Sequence, residues 1–421
     1  MAFLLYLITA TALSTVWRRK IQRISVAAAL VLLALPLLFT GRAILTGRTY
    51  APADIAFMAE PLSDYARDYG VEKPHNIFLS DLHCQILPWQ RAVRYALANG
   101  EWPLWNPFIL GGDILAAAAQ PAVYDPWMWL GMLLPLPDAF TFGATLTFFL
   151  AGFFTFAFAR ALGLREVAAF TAAAGFMFCG MLAFFVGWPL GRSWVYLPLV
   201  LFATHERRWR LLTAAFVLLI FAGHPESVLH VVAVGAVYGV VTIGFRRRAS
   251  GTSRLDDTDS RFSLPVSEAF RPGESSQKPE ARSQSTATTL LARLPALATA
   301  PEARSHLIAK ALLAGLTALA ITAVYLLPFA EAVPQTLESF IRTEMYATQT
   351  YQYLAPPEVQ LERIRKTFVP GYRGPDPLSA RVGLVVLALA IGGALRWRKT
   401  WFFALLAIVC LLATFGTWPV A

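Results

Sequence analysis

Apolar and polar residues alternate along this chain in blocks rather than at short period. Runs of about 20 apolar residues recur, each long enough to cross roughly 30 Å of hydrocarbon. The pattern predicts an all-α, polytopic membrane protein with about nine spans. Residues 1–17 and 24–45 make the first two, and 139–159, 167–188, 194–204, 211–223 and 227–245 form a central group. Residues 306–330, 382–395 and 401–418 bring these apolar segments to ten, of which 194–204 is the shortest. Segment 127–137 is apolar but short, which suits an interfacial or re-entrant piece better than a crossing.

Between the second and third spans lies a long stretch that cannot cross a membrane. Within it, Leu82, Ile86, Trp89, Val93 and Leu97 fall on one stripe of an α-helix. Ser80 or Asp81 is placed to cap its start, Asn99-Gly100 to end it, and Pro88 to kink its second turn. With Arg91 and Arg94 off the apolar stripe, the pattern predicts an amphipathic helix lying along a membrane surface.

Charge orders these elements. The cluster Arg18, Arg19, Lys20 and Arg23 follows the first apolar run, which fits a span rather than a secretory signal. Arg160 and Arg165, the run His205 to Arg210, Arg246 to Arg248, and Arg396 to Lys399 all fall at turns of the same side. Basic turns mark the cytoplasmic side, so 46–138 is read as extracytoplasmic. The resulting divisions are 1–45, N-terminal spans; 46–138, outer loop; 139–245, membrane bundle; 246–304, cytoplasmic loop; and 305–421, a second membrane part with outer loop 331–380. Residues 249–304 are rich in Ser, Thr, Pro, Arg and Glu, which predicts disorder there, with a short surface helix at 290–297. The chain stops at the outer end of an apolar run, which predicts a fragment of a longer protein.

Composition agrees with this class. The chain is 57% hydrophobic and 15% charged, with a mean hydropathy of +0.53. Its net charge of +10 is accounted for by topology and gives no ground for a nucleic-acid partner. Three cysteines supply neither a disulfide framework nor a metal-ligand spacing. No phosphate-binding glycine loop, HExxH or Ser/His/Asp set is present.

The chemistry that remains is a group of ionisable residues assigned to the outer side. Asp81 reads either as a helix cap or as a general base that takes a proton from an acceptor hydroxyl. Glu101 follows a turn glycine and reads as solvated, and Asp113, after Gly111-Gly112, as a turn residue.

Asp81, Gln85 and Pro88, then Gly100-Glu101-Trp102-Pro103-Leu104-Trp105-Asn106-Pro107, Gly111-Gly112, Gln120 and Tyr124-Asp125-Pro126 form a pattern. With Gly223-His224-Pro225-Glu226 and Leu327-Pro328-Phe329-Ala330-Glu331, followed by Ser339 and Arg342, it resembles the YfhO family of bacterial membrane proteins. That family is placed among GT-C glycosyltransferases, which take sugars from polyprenyl-phosphate carriers on the outer membrane face. The resemblance implies a GT-C-like helical bundle in the bacterial cytoplasmic membrane, its site facing outward. It also implies a polyprenyl-phosphate sugar donor and a cell-envelope polymer or lipid as acceptor. Asp81 occupies the position of the presumed catalytic base, and Gln85, Trp105, Asn106 and Gln120 fall at substrate-binding positions. Family members run longer and carry a larger outer domain.

Short spans on either side of the His205 to Arg210 turn place Arg192, His224 and Glu226 at similar depth. They are expected to meet in a recess lined by Asp81, where Arg192 and His224 hold the carrier phosphate, Glu226 orients one of them and Arg342 closes it. The alternative is a snorkelling arginine with local thinning of the bilayer. A divalent metal, Mg or Mn, held by Asp81 with Asp113 or Asp125 is the less favoured variant. Two other functions fit the same pattern: a transporter or flippase for a lipid-linked or amphiphilic substrate, and a non-catalytic scaffold.

Overall fold

A computed structural model of the chain describes residues 1–74, 79–256, 300–335, 391–392 and 401–408. Arg342, segment 290–297 and most of spans 382–395 and 401–418 lie outside the described residues, as does loop 246–304 between 257 and 299.

The described chain is predominantly helical. Its helices are α1 (Ala2–Lys20), α2 (Val26–Ala34), α3 (Leu37–Thr46), α4 (Leu87–Ala98), α5 (Pro126–Gly131) and α6 (Leu136–Ala161). Then follow α7 (Glu166–Met177), α8 (Gly180–Phe185), α9 (Pro189–Trp194), α10 (Tyr196–His205), α11 (Trp209–Phe221), α12 (Pro225–Asp256) and α13 (Ala300–Ala332). One two-stranded hairpin, β1 (Trp105–Asn106) with β2 (Asp113–Ile114), interrupts them.

Among the described residues three helices are long and apolar enough to cross a membrane: α6, Pro225–Thr242 of α12, and Ser305–Gln335. The pair α2 and α3, bent by 68°, makes a fourth if it counts as one span. Pro36 stands at that bend, where its missing N–H and its ring oppose helix continuation. Predicted span 167–188 is α7 and α8 with a break at Phe178-Cys179. The 10 residues of α10 and 13 of α11 rise only about 15 and 20 Å. Helix α12 runs on to Asp256, past the end that hydropathy gives it.

Helix α6 is the axis of the bundle. It packs against α1, α3, α5, α7 and α10, and nearly all of it is buried. Its phenylalanines make the centre: Phe142, Phe148, Phe149, Phe153 and Phe156 are all inaccessible. Trp17 of α1 meets Phe153 edge-on at 5.4 Å and Phe202 of α10 at 5.0 Å. Such aromatic pairs contribute about 0.5–1.5 kcal/mol beyond burial. Buried threonines satisfy themselves on their own helix: Thr145 donates to the Thr141 carbonyl at 2.7 Å and lies 2.9 Å from the Thr40 hydroxyl of α3.

The two ends of the bundle differ in chemistry. Arg208 donates to the Ile21 carbonyl, so the 205–210 basic turn adjoins the 18–23 basic turn. At the other end, the Tyr50 N–H donates to Thr141, and Arg94 of α4 donates to the Gly131 carbonyl at the close of α5. The long polar stretch thus gathers around the start of α6.

Candidate functional site

The stretch that begins at Ser80 folds first as a π turn, Leu82–Ile86, and then as α4. The wide turn accommodates Pro88, which has no N–H to give and whose ring would crowd a tighter turn. Leu82 and Ile86 are buried against Phe140 and Trp188, while Ala92 and Val93 pack on Leu115, Val123 and Met128. The apolar stripe therefore faces the protein's own core, which corrects the expectation that this stripe is the face turned to the membrane; the opposite face, with Arg91 and Tyr95, is the exposed one.

Asp81 is exposed and makes no cap bond; its Oδ1 accepts from Gln85 Nε2 at 3.3 Å. The capping reading is not what its side chain does here. Trp105 lays its ring over Gly112, where a Cβ would sit 2.5 Å from it. Asn106 is buried, and its Oδ1 accepts the Phe108 N–H at 3.1 Å, closing the turn into the hairpin tip.

Beneath α4 lies a cavity of about 60 Å³, room for a few waters. Its polar walls are Gln90 and Arg94 of α4, Gln120 and Asp125 of the following loop, and Arg192 of α9. Asp125 is the hinge of this arrangement. Its Oδ1 accepts the Trp127 N–H at 3.1 Å, capping α5, and its Oδ2 accepts from Arg192 Nη1 at 2.9 Å. Arg192 Nη2 reaches the Gly143 carbonyl of α6 at 3.5 Å. Burial pushes the Asp125 carboxyl above its ordinary range, and the adjacent guanidinium and the Trp127 N–H offset only part of that rise. Burial also lowers the Arg94 pKa, though a guanidinium stays charged at neutral pH. Arg94 Nε is buried with no hydrogen-bond partner among the described residues. Two guanidiniums thus share the cavity with one carboxylate that is already occupied.

Gln120 is presented by a strained loop. Ala119 and Ala122, on either side of Gln120-Pro121, both have positive φ, +64° and +51°, which L-residues rarely adopt. Gly223, at φ +86°, lies so close to this loop that a Cβ would stand 2.6 Å from the Ala119 carbonyl oxygen.

The expected meeting of Arg192 with His224 and Glu226 in a recess lined by Asp81 does not occur. Arg192 and Gln120 line the cavity; Asp81, His224 and Glu226 do not. Opposite charge draws Arg192 to Asp125. His224 turns onto its own helix instead, its Nδ1 accepting the Ser227 N–H at 3.2 Å and lying 2.8 Å from the Ser227 hydroxyl. With Pro225 at the first helical position, the Gly-His-Pro run is a turn and an α12 cap. Glu226 is exposed in the first turn of α12.

The cap needs a neutral imidazole with Nδ1 free to accept. Burial holds the His224 pKa below its ordinary value, with Glu226 opposing and His230 adding to the shift. A folded pKa below the unfolded one gives stability that is full above about pH 6.5 and lost as pH falls through the folded value. His224→Asn, which keeps a capping acceptor, should flatten the acid limb of a Tm-against-pH curve. An unchanged acid limb would show that His224 does not cap.

Sequence reading missed the Asp125–Arg192 pair and the inward turn of Arg94. The signals were an Asp-Pro helix start and Arg192 as the one charged residue between 167 and 204. A divalent metal does not fit at Asp125, whose two oxygens are engaged, and Asp113 Oδ1 accepts the Ile114 N–H at 2.7 Å. Among the described residues no three His, Cys, Asp or Glu side chains converge. Compared with known proteins, the chain matches no family model, no curated protein and no solved structure.

Proposed function

We propose that this is a polytopic glycosyltransferase of the bacterial cytoplasmic membrane, related to the YfhO proteins it resembles. It takes a sugar from a polyprenyl-phosphate carrier and adds it to a cell-envelope polymer or lipid on the extracytoplasmic face. The observation that carries this reading is the cavity where Arg192 and Arg94 converge with one committed carboxylate. Charge in an otherwise apolar bundle is costly and is retained where it meets a ligand or a partner. An excess guanidinium with an unpartnered Nε suits a phosphate.

In the reaction an acceptor hydroxyl attacks the anomeric carbon, the bond to the carrier phosphate breaks, and the phosphate leaves with both electrons of that bond. Asp81 takes the hydroxyl proton. It stands just before the π turn that carries Ile86, a residue of the cavity wall, and so outside the cavity itself. Arg94 and Arg192 stabilise the departing charge. Asp125, whose two oxygens are engaged by Trp127 and Arg192, is assigned to holding Arg192 rather than to the proton transfer.

The test offers the purified chain a panel of polyprenyl-phosphate sugars and envelope acceptors and follows labelled sugar. Transfer from at least one donor is expected, and Arg94→Gln should raise the KM for that donor by about tenfold or more, the worth of one charge-assisted hydrogen bond. Absence of transfer from every donor sinks the proposal. The 68° break between α2 and α3 favours a second reading, a flippase for the same class of lipid, since broken helices serve transport. Movement of labelled carrier across vesicles without sugar transfer would select it.

A further inference from the structure

The apolar stripe of α4 is consumed by the core, yet the stretch after it displays apolar side chains outward. From Trp102 to Gly112 the chain has no charged residue, and Glu101 and Asp113 stand at the base of the hairpin. Its tip is apolar and solvent-facing: Phe108 is 64% exposed, Ile109 42% and Leu110 90%. Leu110 is held outward at φ +51°, followed by two glycines of positive φ. The tip is braced rather than loose. Trp105 sits over Gly112, Asn106 closes the turn, the Gly112 N–H donates to the Ile109 carbonyl at 2.7 Å, and Phe108 meets Tyr95 edge-on at 4.8 Å.

Position and charge identify what covers it. The hairpin's base stacks Trp102 on Trp129 of α5 at 5.4 Å, and α5 leads directly into α6. The tip is therefore borne by the start of a span-length helix. Tyr95, Trp102 and Trp105, all half-exposed, form its shoulders, the residue types that collect at membrane–water boundaries. Arg91, exposed one helical turn before Tyr95 on the same face of α4, adds a cation suited to anionic headgroups. A convex, uncharged tip with aromatic shoulders suits a lipid interface better than a groove-forming protein partner.

We propose that Phe108, Ile109 and Leu110 insert into the extracytoplasmic face of the bilayer, with Trp105 and Tyr95 at headgroup level. The inference rests on the membrane reading above but not on sugar transfer. Lipid insertion fixes the height of α4, and with it the mouth of the cavity beneath, against the plane in which a lipid-borne substrate would arrive.

The test uses the full chain in nanodiscs containing anionic lipid, with its three native cysteines replaced by alanine. An environment-sensitive fluorophore is attached at Leu110→Cys or, as control, at Tyr69→Cys, an exposed position among Asp64, Arg67, Asp68, Glu72 and Lys73. Nitroxide-labelled lipids should quench the probe at 110 several-fold more strongly than the probe at 69. Adding Phe108→Ser and Ile109→Ser should remove most of that difference while the melting temperature holds. Equal quenching at the two positions overturns the proposal. So does a blue-shifted probe at 110 that lipid nitroxides fail to quench, which would mean that protein, either another part of this chain or a second copy, covers the tip. Sugar transfer is measured separately, so loss of either result leaves the other standing.

Discussion

Asp81→Asn should lower transfer from a polyprenyl-phosphate sugar by about 10²- to 10⁴-fold, the usual contribution of a positioned general base. Thermal unfolding should be unchanged. Asp81 is exposed, makes no cap bond and among the described residues accepts a side-chain hydrogen bond from Gln85 at the surface, so the substitution removes no buried interaction. The pairing of these two readouts is what gives the experiment its force. Activity that survives with the fold intact takes the base assignment away from Asp81. Activity lost together with the fold would assign Asp81 a structural role that its observed contacts do not provide.

Arg192→Met should destabilise the protein by about 3–5 kcal/mol, because it leaves Asp125 as an unpaired buried carboxylate. The double variant Arg192→Met with Asp125→Asn should recover most of that loss. Asparagine still accepts the Trp127 N–H at the start of α5, and no charge is left stranded. The single variant also carries a pH signature. Burial already raises the Asp125 pKa, and without Arg192 nothing but the Trp127 N–H opposes it. A carboxyl whose folded pKa exceeds the unfolded one gives stability that is present at low pH and lost as pH rises through the folded value. Arg192→Met should therefore melt higher at pH 5 than at pH 8, and the double variant should show no such slope. A single variant as stable as wild type at pH 8 would mean that the pair contributes nothing.

How far the sequence could be read depended on the range of the interaction. Helix positions followed from local pattern: α6, α12 and α13 lie where apolar runs predict them, and the two expected spans beside the 205–210 turn, α10 and α11, are short as expected. The apolar stripe of α4 was also legible, but which surface it faces was not. Leu82 meets Phe140 and Trp188 only once the chain has returned through α6, and nothing in the period of a helix distinguishes lipid from a phenylalanine-rich neighbour. Site residues divided in the same way. Arg192 was legible as a charged residue in an unfavourable place and Gln120 only through the family resemblance, and both line the cavity. His224 looked equally out of place, but a contact three residues away occupies it. Asp125 was concealed by its ordinary local role, since an Asp before Pro is a helix start whether or not an arginine 67 residues later comes to meet it.

The close approach of Gly223 to the Ala119 carbonyl bears on how the chain can be divided. Hydropathy draws the outer loop as a separable piece, 46–138, and it would be natural to express that piece by itself in soluble form. Its interior, however, is completed by other segments: Phe221 and Tyr325 flank Tyr124, Trp188 covers Leu82, and Arg192 neutralises Asp125. Excised, the loop would expose those faces to water and leave one carboxylate buried without its cation. It has the length of a domain and lacks the autonomy of one, so antibodies or binders raised against the isolated loop would select for shapes that the assembled chain does not present.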